Sequence, residues 1–249
     1  MAPVVVNVPD RTSLMNDLET RLKKRKGFCI ATLNLDHVVK FHRDRAFREA
    51  YTRHSHITAD GNPIVWLSRL AGHPVHLVPG SELIEPVARM AARLGTPVAM
   101  FGSTREALDK AARTLTARHP GLKVVSRIAP PMGFDPTGPE ADAFIEEIGA
   151  SGARLCFLAL GAPKQELFAV RAHERLPHMG WLSIGAGLDF IAGTQVRAPR
   201  FMRAIGAEWL WRLAGNPRRL AGRYWACIMI LPNLTWAALR ARTALRNEL

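Results

Sequence analysis

The chain has 249 residues, 48% of them hydrophobic, and a formal net charge of +13 from 34 basic and 21 acidic side chains. That length and apolar content exclude wholesale disorder and leave room for one large domain, or one domain with an appendage. The positive surplus implies an anionic partner: nucleic acid, an anionic membrane or a phosphorylated ligand.

Apolar strand-like runs alternate with helical patterns along most of the chain. Phe28 to Leu33 reads as a strand and Asp36 to about His54 as one helix. Ser55 to Ala59 is a short apolar run. Ser81 is the expected N-cap of a helix that Gly95 ends near Leu94. A strand over Pro97–Gly102, a helix over Arg105–Arg118 and a strand over Leu122–Ile128 follow. After a Pro/Gly-rich loop, Pro139 opens a helix to Ala150. Arg154–Leu160 is a strand, Pro163–Arg175 a helix and Trp181–Ile184 a strand. This alternation predicts an α/β, Rossmann-like, largely parallel sheet with helices on both faces. Such sheets bind ligands at the carboxyl ends of their strands, so the functional loops are those after Leu33, Gly102, Leu160 and Ile184.

Past Arg197 the alternation stops. The expected division is a catalytic core over residues 1–197 and a basic, helical, Trp-containing appendage over 198–249. From Pro199 onward nine arginines stand against two acidic residues, which puts over half of the net charge in about a fifth of the chain. The 16 residues from Tyr224 to Leu239 are mostly apolar but interrupted by Pro232 and Asn233. A span needs roughly 20 apolar residues, so a segment lying in the membrane interface is the better reading. A buried terminal helix is the plainer alternative. Three cysteines (Cys29, Cys156 and Cys227) make an odd count without framework spacing, which points to reduced thiols and the cytoplasm. Met1 to Asp10 has no basic stretch ahead of its valine run, so no secretory leader is expected there.

Four groups of residues are candidates for chemistry. Thr32 and Asn34 follow the first strand, and Asp60-Gly61 follows the Ser55–Ala59 run; a free carboxylate there suits a general base, although Asp-Gly is also a common turn. Gly161-Ala162-Pro163-Lys164-Gln165-Glu166 joins a strand to a helix start, with Lys164 for a phosphate and Gln165 for a sugar or base edge. Gly185-Ala186-Gly187-Leu188-Asp189 offers close backbone approach to a diphosphate but lacks the third glycine of a dinucleotide fingerprint. Gly102-Ser103-Thr104 is a weaker junction of the same kind. The fourth group is the arginine series Arg197, Arg200, Arg203, Arg212, Arg218, Arg219 and Arg223, interleaved with Trp209, Trp211, Tyr224, Trp225 and Trp236. Arginine forks bind phosphates, and Arg with Trp suits a headgroup interface or, alternatively, nucleic-acid stacking. There is no Asp-x-Asp pair to carry a divalent ion and no P-loop, so no metal and no cofactor are expected.

Taken together these segments resemble the WecG/TagA/CpsF glycosyltransferase family. The ordered set is Thr32-Leu33-Asn34, Ala59-Asp60-Gly61 with Pro63, Gly80-Ser81-Glu82-Leu83, Phe101-Gly102, Gly161 to Glu166, Gly185 to Gly193, Arg197-Ala198-Pro199, Glu208-Trp209 with Arg212, and Pro217-Arg218-Arg219 with Arg223-Tyr224. The resemblance implies a metal-independent, inverting transfer from a UDP-sugar, typically UDP-N-acetylmannosamine or its uronate, to an undecaprenyl-diphosphate-linked sugar. It puts the base on Asp60, with Thr32 and Asn34 in the same pocket, and nucleotide-sugar contacts on Lys164, Gln165, Glu166 and the stretch Gly185, Gly187 and Asp189. It puts the diphosphate and membrane contacts on Arg212, Arg218 and Arg223. A peripheral location at the inner face of the cell membrane follows, and a homo-oligomer is one way to cover exposed apolar surface. The chain departs from the family in Glu82, where Asp is common, and in lacking an arginine among His76, Leu77, Val78 and Pro79. The rival is a nucleic-acid-binding α/β protein using the basic tail.

Overall fold

The computed structural model describes residues 4–199, 201–202 and 207–247, and at 212, 219 and 245–247 the backbone alone. The chain opens with α1 (Arg11–Lys23), capped by the Asp10 carboxylate, which accepts the Ser13 N–H. Leu14, Leu18 and Leu22 recur every four residues and form its buried stripe. Then come β1 (Phe28–Leu33), α2 (Leu35–Phe41), α3 (Arg45–Thr52), β2 (His56–Ala59), α4 (Asn62–Leu70) and α5 (Gly80–Leu94). β3 (Val98–Gly102), α6 (Arg105–Arg118), β4 (Val124–Ile128), α7 (Pro139–Ala150), β5 (Leu155–Ala159), α8 (Lys164–Arg175), β6 (Gly180–Ser183) and α9 (Gly187–Ala192) complete the alternation.

The six strands form one sheet in the order β2-β1-β6-β5-β3-β4, and every pairing is parallel. Side chains alternate across it. Phe28, Ile30, Val98, Met100, Leu155, Phe157 and Leu182 face one way, into a core shared with α1, α5 and α6. Cys29, Ala99, Phe101, Cys156, Leu158 and Trp181 face the other way, onto α7 and α8. Ala31, Leu33, Ile57 and Ala59 pack on Phe47 and Tyr51 of α3 and on Ile64 and Val65 of α4. This is the predicted Rossmann-like α/β architecture, with a sheet that is wholly parallel.

Several boundaries differ from expectation. The helix read over Asp36–His54 is two helices, because Asp44 turns out of the helical path and caps α3 by accepting the Phe47 N–H. Ser81 is not a cap: α5 starts at Gly80 behind Pro79. The strand read from Leu122 begins only at Val124. All three cysteines are free and buried.

Beyond the core, α10 (Glu208–Gly215) and α11 (Pro217–Asn247) are the basic helices. Helix α11 runs unbroken through Pro232 and packs on α2 and α4. Arg200 and Arg203 lie outside the described residues, as do the side chains of Arg212, Arg219 and Arg246.

Candidate active site

The crossovers leave β1 toward the β2 edge and β3 toward the β4 edge, with β6 and β5 between them. The connections diverge at this point, which is where sheets of this kind hold a ligand crevice, over the carboxyl ends of the central strands. The register sets Leu33 beside Ala59, so Asn34 and Asp60, each one residue further on, end adjacent strands. Asp60 is half-buried and donates its backbone N–H to the Leu33 carbonyl at 2.8 Å.

Asn34 is the N-cap of α2: its Oδ1 accepts the His37 N–H at 3.1 Å. Its Nδ2 stands 3.3 Å from His37 Nε2, and His37 Nδ1 lies 2.6 Å from the Tyr51 hydroxyl. Tyr51 in turn donates to the Thr32 carbonyl at 3.0 Å. The Thr32 side chain is buried, with Cγ2 against the start of α5: a Cβ on Gly80 would lie 3.1 Å from it.

The β5–α8 and β6–α9 loops are tied together from below. Gln165 Oε1 accepts the Gly185 N–H at 3.0 Å, and Gln165 Nε2 donates to Glu166 Oε1 at 2.8 Å. Glu166 is fully buried and its Oε2 has no partner. Burial pushes its carboxyl up to about 7, against which the bond from Gln165 and the charge of Lys40 act only partly. Burial also holds the Tyr51 phenol well above its ordinary range, reinforced by the nearby Glu166 and Asp60 carboxylates. The tyrosine, the glutamate and the aspartate therefore share one electrostatic neighbourhood. Lys40 closes it from α2, its Nζ donating to the Ala162 carbonyl at 3.3 Å.

Lys164 does not stand free: its Nζ donates to the Phe134 carbonyl at 2.6 Å. Asp189 lies half-buried on α9 and accepts the Ser103 hydroxyl at 2.6 Å. Ser103 itself has φ +52, and the preceding Gly102 has φ +116. A Cβ on Gly102 would sit 2.4 Å from the Ala159 carbonyl oxygen, so the glycine lets β3 and β5 close up. Gly187 likewise makes room for packing, since a Cβ there would meet Ile84 Cδ1 at 2.4 Å. Gly185 has φ +55, and of the three it alone has open space where a Cβ would stand.

Arg197 pairs with Glu82 Oε1 at 3.0 Å while Arg11 takes Glu82 Oε2 at 2.9 Å. Glu82 is thus held between two arginines from distant segments. Arg223 reaches back from α11 to Asp36 of α2, Nε to Oδ1 at 2.9 Å. Lys40 Nζ lies 2.9 Å from the other carboxylate oxygen, but without hydrogen-bond alignment. Arg218 is exposed.

The site therefore brings together Asn34, Asp60, Gln165, Glu166 and Gly185, with Arg223 attached through α2. Sequence reading missed Asp36, His37, Lys40 and Tyr51. The only signal for the first three was their spacing after the Asn34 cap, and Tyr51 reads as one more apolar residue on α3. Among the described residues no cluster of His, Cys, Asp and Glu could hold a metal ion.

A family model for the glycosyl transferase WecG/TagA/CpsF family matches residues 2–248. The chain belongs to this family. Its members are glycosyltransferases that act in cell-surface polysaccharide synthesis, so a sugar donor and an acceptor are implied. Family membership thus assigns sugar transfer to this fold.

Proposed function

We propose that the protein moves a hexosyl group, with N-acetylmannosaminyl favoured over glucosyl or uronosyl, from a UDP-sugar to a polyprenyl-diphosphate-linked sugar, with inversion and without a bound metal. The observation that carries this reading is the meeting, at one crevice, of the Asn34–Asp60 pair, the Gln165–Gly185 bridge and the arginine-bearing helix α11. A carboxylate beside an amide suits activation of a hydroxyl, and the surrounding cations suit a diphosphate.

Asp60 accepts the proton of the acceptor hydroxyl as that oxygen attacks the anomeric carbon. The bond from that carbon to the diphosphate breaks with its electron pair on the leaving phosphate oxygen, through an oxocarbenium-like transition state. The start of α8 and the arginines of α11 offset the charge that develops on UDP.

Residues 198–249 act as the membrane-facing appendage of a 1–197 core. Helix α11 buries Leu220, Cys227 and Ala238 toward the core, yet Trp225, Ile228, Met229, Trp236 and Leu239 are exposed at helical spacing on the outside. Trp225 and Trp236 are 64% and 60% exposed, with arginines before and after the stretch. No helix among the described residues is long and apolar enough to cross a membrane. A helix apolar on both faces and basic at both ends suits the plane of an anionic bilayer at the inner face of the cell membrane.

The test is UDP release by purified protein with a panel of UDP-hexoses and a short-chain polyprenyl-diphosphate sugar, with and without EDTA. Acceptor-dependent release that survives EDTA is expected. Release abolished by EDTA would overturn metal independence, and salt-sensitive nucleic-acid binding without UDP binding would favour the rival role.

A further inference from the structure

With Asn34 oriented as the cap of α2, the hydrogen bonds beneath it fit one arrangement of protons. The first turn of α2 needs an acceptor for the His37 N–H, so Asn34 Oδ1 is committed there at 3.1 Å. The atom facing His37 Nε2 at 3.3 Å is then Nδ2, a donor only. His37 Nε2 must therefore accept, and the ring proton resides on Nδ1, where the Tyr51 oxygen lies 2.6 Å away. That oxygen accepts, and its own proton goes to the Thr32 carbonyl at 3.0 Å. The last paired rung between β1 and β6 is Ile30 with Leu182, so Thr32 lies past the ladder on that side and Tyr51 supplies a donor to it.

The surroundings keep this chain neutral. His37 is 5% exposed and packs edge-on against Phe47 and Tyr51. Burial, helped by Lys40 and Arg223 and opposed by Asp36 and the Thr32 backbone, holds the ring down to about 3, so it stays an imidazole. In water a free neutral imidazole prefers its proton on Nε2. The protein selects the other tautomer.

We propose that His37 is a positioning residue: Tyr51 fixes its ring as the Nδ1–H tautomer, and the ring joins the His37 backbone N–H in holding the Asn34 amide so that one N–H is left for an anionic oxygen of the sugar nucleotide. A flipped amide would present an oxygen to the same ligand and repel it. The proposal rests on the reading that Asn34 lines the donor pocket.

Long-range ¹⁵N–¹H correlation spectra of the full-length protein, labelled at its nine histidines, test the tautomer directly. His37→Phe identifies the signal by its loss, and Tyr51→Phe serves the same purpose by shifting it if that variant fails to fold. Nδ1 protonated and Nε2 bare at neutral pH is the expected result; a proton on Nε2, or on both nitrogens, overturns the proposal whatever the activity. A double-mutant cycle with UDP-N-acetylmannosamine tests the function. His37→Phe should lower kcat/KM about tenfold, the loss of one oriented hydrogen bond. In an Asn34→Ala background it should cost nothing further. Losses that simply multiply would show that His37 does not act through Asn34. If the wild type turns over no UDP-hexose, the reading of the reaction fails, while the spectrum still decides the tautomer.

Discussion

Glu166 is a carboxyl with one oxygen bonded to Gln165 and the other sealed in without a partner. Its folded pKa of about 7 lies above the ordinary 4.5, so the folded state binds its proton more tightly than the unfolded chain does. The stability from this group is complete below about pH 4.5 and is lost as pH rises through about 7. Glu166→Gln keeps an acceptor for Gln165 and removes the titration. Its melting temperature should exceed the wild type's by a few degrees at pH 8, and the gap should close or reverse at pH 5 in thermal scans. Asp60, the proposed base, ends the strand adjacent to β1 and is half-open to solvent. Asp60→Asn should lower turnover by roughly 10²–10⁴ in a UDP-release assay with the fold unchanged by circular dichroism; full turnover would remove it as the base.

At the scale of elements, the strand ends are set by close backbone contact. Gly102→Ala would drive a Cβ against the Ala159 carbonyl at φ +116, whereas Gly161→Ala meets open space at φ +73. The first should cost about 3 kcal/mol or more from contact and conformation together; the second, in the left-handed region, about 1–2 kcal/mol, measured as urea midpoints. Equal losses would mean that the β3–β5 approach adds no cost at Gly102. The alternation of apolar strands with helical patterns was legible because each central strand is buried on both faces. The junctions at Gly161 and Gly185 were legible from their glycines and proline. Helix α1 was missed despite its leucine stripe, and α4 because Asp60-Gly61 reads as a turn and hides the Asn62-Pro63 start behind it. The break between α2 and α3 was lost because apolar residues fall on both sides of Asp44. The Asn34–His37–Tyr51–Thr32 chain depends on side chains 14 and 19 positions apart, a distance that no local pattern encodes.

At the scale of the whole molecule, the charge asymmetry and the exposed aromatic stripe of α11 lie in the same region. Replacing Trp225 and Trp236 with serine leaves the buried residues of α11 in place. The pair should weaken cosedimentation with anionic vesicles by at least about tenfold, since each large apolar side chain withdrawn from a lipid interface loses roughly 1.5–3 kcal/mol. Unchanged binding would move the membrane contact elsewhere. Cation–π contact between Arg240 and the Trp236 ring, 5.0 Å to its centroid, gives the stripe a charged border.

Helix α2 begins at Asn34, the cap beside Asp60, and carries on its second residue the carboxylate that holds Arg223. The two attachments are separated by about 3 Å of rise, less than one helical turn. A shift of α11 that carries Arg223 with it would therefore bear on the cap through less than one turn of helix. On the proposed reading, contact of α11 with a membrane and the shape of the strand-end site would thus be linked through α2.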